Sequence, residues 1–297
     1  MRETTINKDF LNIRENTQKT NKRRVPFGIS EWFVGAAALV ILFIMICALI
    51  PQIIAPYAPT TMSQDAILQP PSLSHFFGTD QFGRDVFSLV VYGSRDSLVI
   101  GLLSVLVGGF LGGGIGALSG YLGGFIDRVF MRLIEILMTI PGILLALAIA
   151  ASLGPSLFNI ILAIAISSIP GYARVMRGQV MSITGRSFIS ASKAIGVPKW
   201  KIFISHVLPN SLSPMLVMAT LGIGSAILAG SGLSFLGLGV LNEIPDWGAT
   251  LSQGRGFLTV AWWICTFPGL AITVFVLSVN IIGDWLRDYL DPKKQRA

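Results

Sequence analysis

The chain has 297 residues; 53% are hydrophobic and only 12% charged, with a net charge of +7 and a mean hydropathy of +0.71. Soluble proteins carry about 25% charged residues, so composition argues against an ordinary soluble core. No Gly-Lys dipeptide, HExxH or GxSxG occurs, and the two histidines, His75 and His206, are widely separated. That excludes a P-loop, a zinc-protease motif, a nucleophile elbow and a His-based metal site within this chain.

Taken in chain order, residues 1–31 are polar and rich in Asn, Lys, Arg and Thr. They are expected to be a cytosolic segment, disordered over its first part. Trp32 to Ile54 then carries no charge. A spanning helix needs roughly 20 apolar residues, so 32–54 is predicted as the first transmembrane helix. Its length and the polar residues before it make it an uncleaved anchor rather than a signal peptide. Residues 55–94 form an extracytoplasmic loop expected to pack over the outer mouth. Within it, Asp80, Gly83, Arg84 and Asp85 predict a turn with a local ion pair.

Ser97 to Leu118 is uncharged and predicts a second span over 95–119. Its Gly108/Gly112, Gly109/Gly113 and Gly112/Gly116 pairs have the spacing that lets helices approach closely in lipid. Ile136 to Ala173 is long enough for two spans, 129–152 and 156–173, separated by Gly154-Pro155. Arg132 and Glu135 share a helix face at the start of the third span and predict a local ion pair. Val207–Asn242 and Phe257–Gly283 supply spans over 207–230 and 258–283. Pro141, Pro170 and Pro268 should kink or end the helices that contain them. Cys47 and Cys265 fall in spans and read as small, unpaired core residues. No charged residue lies in the middle of any span, which counts against a proton- or sodium-coupled carrier.

Charge orients the bundle. With the N-terminus inside, seven basic residues lie in 1–31, Arg128 and Arg132 in the first inner turn, six in the loop 174–206 and four in the tail. Only Arg84, Arg95 and Arg255 remain outside, of 22 in all. The positive-inside rule therefore places both termini and the 174–206 loop in the cytosol. Topology accounts for the net charge, with no reason to invoke nucleic acid.

Phe188 to Pro209 is a basic, polar island in this apolar chain. It reads as a short helix, a stop at Gly196, which can take the left-handed conformation that ends helices, and a restart at Val197-Pro198. Phe188, Ile189, Ile195, Val197 and Trp200 are apolar anchors for another protein. A basic element of this kind could also lie on anionic lipid.

Ten blocks in order carry a family resemblance: FGTDQFGRDVFS (77–88), Gly120-Tyr121, MRLIEILMTIPGILLALA (131–148), LGPSLFN (153–159), PGYARVMRGQV (170–180), the 188–209 island, LSFLGLG (233–239), Asp246-Trp247-Gly248-Ala249, FPGLAI (267–272) and GDWLRDYLDP (283–292). Over roughly residues 70–292 the chain resembles the C-type permease subunits of dipeptide/oligopeptide/nickel ABC importers. The resemblance implies an all-α membrane protein of six transmembrane helices, with a type I ABC importer permease fold and a cytosolic coupling helix. It also implies a homologous second permease, two cytosolic ATPase subunits that bind ATP and Mg, and an extracytoplasmic substrate-binding protein, all at the plasma (inner) membrane. No cofactor is expected in this chain, which is expected to be no enzyme.

By the same resemblance, the segment Ser187–Ile195 and its sequel form the ATPase-docking loop. The implied docking residues are Ser187, Phe188, Ser190, Ala191, Ser192, Lys193, Gly196, Val197, Pro198 and Trp200. Ser190-Ala191-Ser192 occupies the family's EAA position, so Ser190 stands where a glutamate is expected. Gly230 likewise stands where relatives commonly carry Glu. Residues 95–286 would be the five-helix permease core and 287–297 a cytosolic tail. The implied cargo is a di- or oligopeptide, with nickel or metal chelates, glutathione or another small solute as alternatives. A stand-alone channel or secondary carrier is the reading from another class.

Overall fold

The computed structural model describes residues 27–239 and 243–290. The expectations for residues 1–26 and for the tail beyond Leu290 lie outside the described residues. Every long element is helical. Helix α1 (Phe27–Leu49) is apolar around its circumference and followed by the single turn α2 (Pro51–Ile54). The long helix α3 covers Val86–Leu122. α4 (Gly124–Met138) and α5 (Gly142–Leu153) form a bent pair. α6 (Leu157–Thr184), the short α7 (Ser187–Ala194) and the one-turn α8 (Lys199–Ile202) come next. A π-helical turn (Phe203–Val207) leads into α9 (Leu208–Leu233), and a second one (Ser234–Leu238) leaves it. α10 (Trp247–Gly254) and α11 (Trp263–Leu290) complete the order. Among the described residues, five helices are long and apolar enough to cross a membrane, and the α4–α5 pair makes a sixth crossing if counted as one.

Several boundaries differ from the sequence expectation. The second span begins at Val86 instead of 95, because Asp85 caps it: its Oδ2 accepts from the Ser88 amide at 2.8 Å and the Ser88 hydroxyl at 2.7 Å. At 1.5 Å per residue, its 37 residues extend about 55 Å, well beyond the hydrocarbon thickness. Helix α6 continues through Arg174 and Arg177 to Thr184, so the first part of the 174–206 loop is helical. Charge marks where a helix leaves lipid; it does not end the helix. The fifth span begins within a 40-residue helical run, Lys199–Leu238. The sixth begins at Trp263 and continues to Leu290, past the expected ends at 258 and 283. The third, expected as one helix over 129–152, bends by 87° between α4 and α5. Pro141 has no N–H and disfavours helix at the residue before it. Pro170 and Pro268 are accommodated inside their helices.

The centre of the fold is the contact of α3 with α6, which run parallel. Gly108, Gly112, Gly116 and Gly120 make one stripe of α3 bare of side chains. A Cβ on Gly112 would come 2.6 Å from the Ile169 carbonyl oxygen, on Gly108 2.8 Å from that of Ala165, and on Gly120 2.9 Å from that of Arg177. On Gly116 it would overlap the Ala173 carbonyl. The expected use of this spacing is therefore realised within the chain. α9 packs antiparallel on the same pair: Gly101 receives Ile227, and Gly230 lies against Ile100 and Ile164. The peripheral α1 buries only Ala37, Ile44 and Cys47 of its larger part, and Trp32, Phe33, Leu39 and Phe43 point outward.

At the end opposite α7, the 55–85 segment packs against α10 and α11. The expected turn is present. Arg84 Nε lies 2.6 Å from Asp80 Oδ2, and Gly83 takes a φ of +71°. Unlike an ordinary surface turn, it is buried, and Arg84 Nη2 also donates to Gln253 Oε1 at 2.9 Å. Phe77 stacks on Phe267 at 3.9 Å, and the Trp263 indole donates to the Thr79 carbonyl at 3.0 Å. Asp246 caps α10 through the Ala249 amide and accepts from the Ser234 hydroxyl at 2.7 Å. Burial pushes its carboxyl above the usual carboxylate range, against the pull of those donors. Both cysteines are free, Cys47 buried and Cys265 half-buried.

Gly116→Ala should destabilise the chain by about 1–3 kcal/mol, the usual cost of forcing an extra methyl into close packing. Gly114→Ala, where nothing lies within 4 Å of the new methyl, should be neutral. Melting temperatures in detergent read the difference, and equal values would refute the tight α3–α6 contact.

Candidate functional site

The polar island is a rigid projection at the end where α3 and α6 terminate. α7 ends as the sequence predicts. Gly196 has φ +84°, its N–H donates to the Lys193 carbonyl, and the Val197 N–H donates to that of Ser192, both at 3.1 Å. This closes the last turn and satisfies carbonyls left free at the helix end. Pro198 is the residue just outside α8, with ψ 142°, rather than a member of its first turn.

The helix is held from inside by Ile189, which is 0% exposed and joins the core cluster with Val180, Ile183, Ile202 and Val207. Val197 is partly buried against that cluster, and Phe188 meets His206 edge-on at 6.5 Å. The Tyr121 hydroxyl, at the end of α3, donates to the Lys199 carbonyl at 2.6 Å, and its ring packs on Phe203. Of the five apolar anchors expected for a partner, Ile189 is thus engaged within the chain and Val197 largely so. Both lie on the side turned toward α6 and α9, a distinction that a segment this short does not show by periodicity.

The remaining apolar anchors face outward: Ile195 is 81% exposed, Trp200 65% and Phe188 41%. Ser187, Ser190, Ala191 and Ala194 recur at helical spacing on the outer face of α7 and are exposed. Ser192 is half-buried, its hydroxyl returned to the Phe188 carbonyl at 2.9 Å. Lys193, Lys199 and Lys201 are exposed, and residues 186–210 include no acid. The result is a small apolar patch within a positive field, with the Ser190 hydroxyl on its surface.

One element of the support was not anticipated. Arg177 of α6 holds Asp127 of α4 through two bonds, Nε at 2.5 Å and Nη2 at 2.6 Å. The Ser119 hydroxyl of α3 adds a third at 2.5 Å. Three helices are pinned beside α7 by this cluster. Its sequence signal was only an acid and a base at two helix ends 50 residues apart. The Arg132–Glu135 pair is present as expected, at 3.4 Å and exposed.

Long apolar helices around a glycine-packed core, with a short helix projecting from one end, define a transporter's membrane subunit. The family described as "Binding-protein-dependent transport system inner membrane component" matches residues 112–296, and this chain belongs to it. It is 46% identical to the dipeptide transport system permease protein DppC of Alkalihalophilus pseudofirmus, over 84% of this chain and 82% of that protein. It is 42% identical to the di/tripeptide transport system permease protein DppC of Pseudomonas aeruginosa, over 87% and 88% respectively. The glutathione transport system permease protein GsiD of Escherichia coli is also 42% identical, over 86% and 85%. Among solved structures, a chain of the MetNI methionine ABC transporter in an inward-facing conformation superposes with a TM-score of 0.57. It is 20% identical and covers 69% of this chain and 98% of that one, which establishes the type I importer fold.

Ile189→Ser should destabilise the isolated chain by about 2–5 kcal/mol, as truncation of a buried aliphatic does. Ile195→Ser and Trp200→Ser should leave its melting temperature within the small range of surface changes. The reverse order would show that α7 presents the opposite face.

Proposed function

We propose that this chain is one permease half of an ATP-driven importer of di- or tripeptides. In this reading, two cytosolic ATPase subunits drive transport, with one seated on α7 and α8. The observation that carries the reading is the projecting helix itself. It is tied through Ile189, Tyr121 and the Gly196 turn into the spans on either side, yet turns an apolar and basic face outward. A helix merely lying on lipid has no need of that rigid coupling. A force applied at α7 is delivered to α6 on one side and to α9 on the other.

Ser190 offers a hydroxyl but no carboxylate to a partner's Arg or Lys. Charge complementarity then runs the other way: Lys193, Lys199 and Lys201 suit acidic residues around the ATPase groove, and Phe188, Ile195 and Trp200 supply its apolar filling. Both termini and α7 are cytosolic by the charge count. A homologous second permease completes the pathway, and a substrate-binding protein delivers cargo on the far side. Peptide cargo follows the names of the relatives; glutathione, carried by a name at similar identity, is the second reading. ATP and Mg are bound by the partners.

Ala191→Arg places a long cation on the exposed face of α7 without touching its core. It should lower co-purification of the ATPase subunits about tenfold or more and abolish uptake, with the amount of permease in the membrane unchanged. Unchanged co-purification and unchanged uptake would refute docking at this surface.

A further inference from the structure

A cavity of about 430 Å³ lies between α3, α5, α6 and α9, within the roughly 300–1,000 Å³ of small-molecule sites. It meets each long helix near mid-length: Ser104 on α3, Ser167 to Tyr172 on α6, and Gly222 to Ser225 on α9. No charged side chain lines it. The Ser167 and Ser168 hydroxyls donate to their own helix, to the Ile164 and Ala165 carbonyls at 2.9 and 2.8 Å. Each keeps lone pairs for a further donor.

Tyr172 is different. It is 2% exposed, and its ring crosses from α6 to α9 so that the hydroxyl lies against Gly222, where a Cβ would overlap it. Among the described residues nothing hydrogen-bonds that hydroxyl. The hydroxyl oxygen opens onto the cavity, since among the described residues the sealed side-chain atom without a partner is Gln81 Oε1; a lipid chain filling the cavity would leave the hydroxyl unpaired at a cost. A polar occupant would not.

We propose that this cavity is where the solute contacts this subunit in transit, and that the Tyr172 hydroxyl hydrogen-bonds a peptide group of that solute. Gly222 sets the width of the passage opposite it. The peptide part of this proposal rests on the importer reading above. An uncharged site with free donors in the Tyr172 and Ser225 hydroxyls and several free acceptors matches the amide units of a short peptide. It holds them without the tight grip of a charge pair, as release on the far side requires.

The test uses the complete importer, reconstituted with its ATPases, second permease and binding protein. Tyr172→Phe removes the hydroxyl alone. It should reduce dipeptide uptake per complex by about three- to tenfold, the size of one neutral hydrogen bond, with melting temperature and assembly of the complex unchanged. Ser225→Cys, with Cys47 and Cys265 replaced by Ala, should react with a charged, membrane-impermeant methanethiosulfonate. Saturating dipeptide under turnover should slow that reaction. Uptake by Tyr172→Phe equal to wild type would overturn the assignment of the hydroxyl. A Ser225→Cys thiol inert in every nucleotide state would overturn the pathway itself. If the wild-type complex takes up no peptide, the importer reading fails on cargo, while the thiol reaction still decides whether water reaches the cavity.

Discussion

The contact on which the rest of this structure depends is the meeting of α3 and α6 along four glycines. In lipid no hydrophobic force pulls two apolar helices together, so close packing of backbone against backbone has to supply the attraction. Gly108, Gly112, Gly116 and Gly120 let α3 reach the carbonyls of α6 along about three turns. The parallel pair then offers the surface against which α9 lies antiparallel, through Gly101 and Gly230. α11, α5 and α1 are added around that triplet.

This arrangement gives the projecting helix mechanical meaning. α6 carries Tyr172 at its middle and passes into α7 at its end. α8 passes through a π-helical turn into α9, which carries Gly222. Two of the four helices that border the cavity, α6 and α9, are therefore the same two that flank α7 and α8 along the chain. Asp127, Arg177 and Ser119 fasten α4 to this unit, and Tyr121 fastens α8 to α3. π-helical turns are frequent at functional sites, and here they stand at both ends of α9.

Gly230 and Ser190, the two positions at which the resemblance leads to an expected Glu, have different physical settings. Gly230 is buried, with the Ile100 and Ile164 side chains against the place where a side chain would begin; a larger residue would require those side chains to shift. Ser190 is exposed with free space around it, so its exchange alters only what the surface offers to a neighbour. Lys193, Lys199 and Lys201 around it are exposed.

Much of this was legible along the chain. Uncharged runs located the spans, because crossing lipid demands length and the absence of charge. Gly196 predicted its own turn, because only glycine takes that conformation cheaply. These are local properties, written where they act. The 87° bend after Met138 was announced by Pro141 but not its size, since the angle depends on what α5 packs against. Helix ends beyond the membrane were misplaced, because hydropathy reports the lipid boundary and hydrogen bonding decides where a helix stops. Periodicity did not show that Ile189 faces inward while Ile195 and Trp200 face out. Nor did anything local bring Asp127 to Arg177, or the Tyr172 hydroxyl to Gly222. The sequence by itself determined that the chain spans a membrane and where it projects a helix. Only the tertiary structure decided which side chains meet across helices, because contacts between residues far apart in the chain are made by packing and leave no local trace.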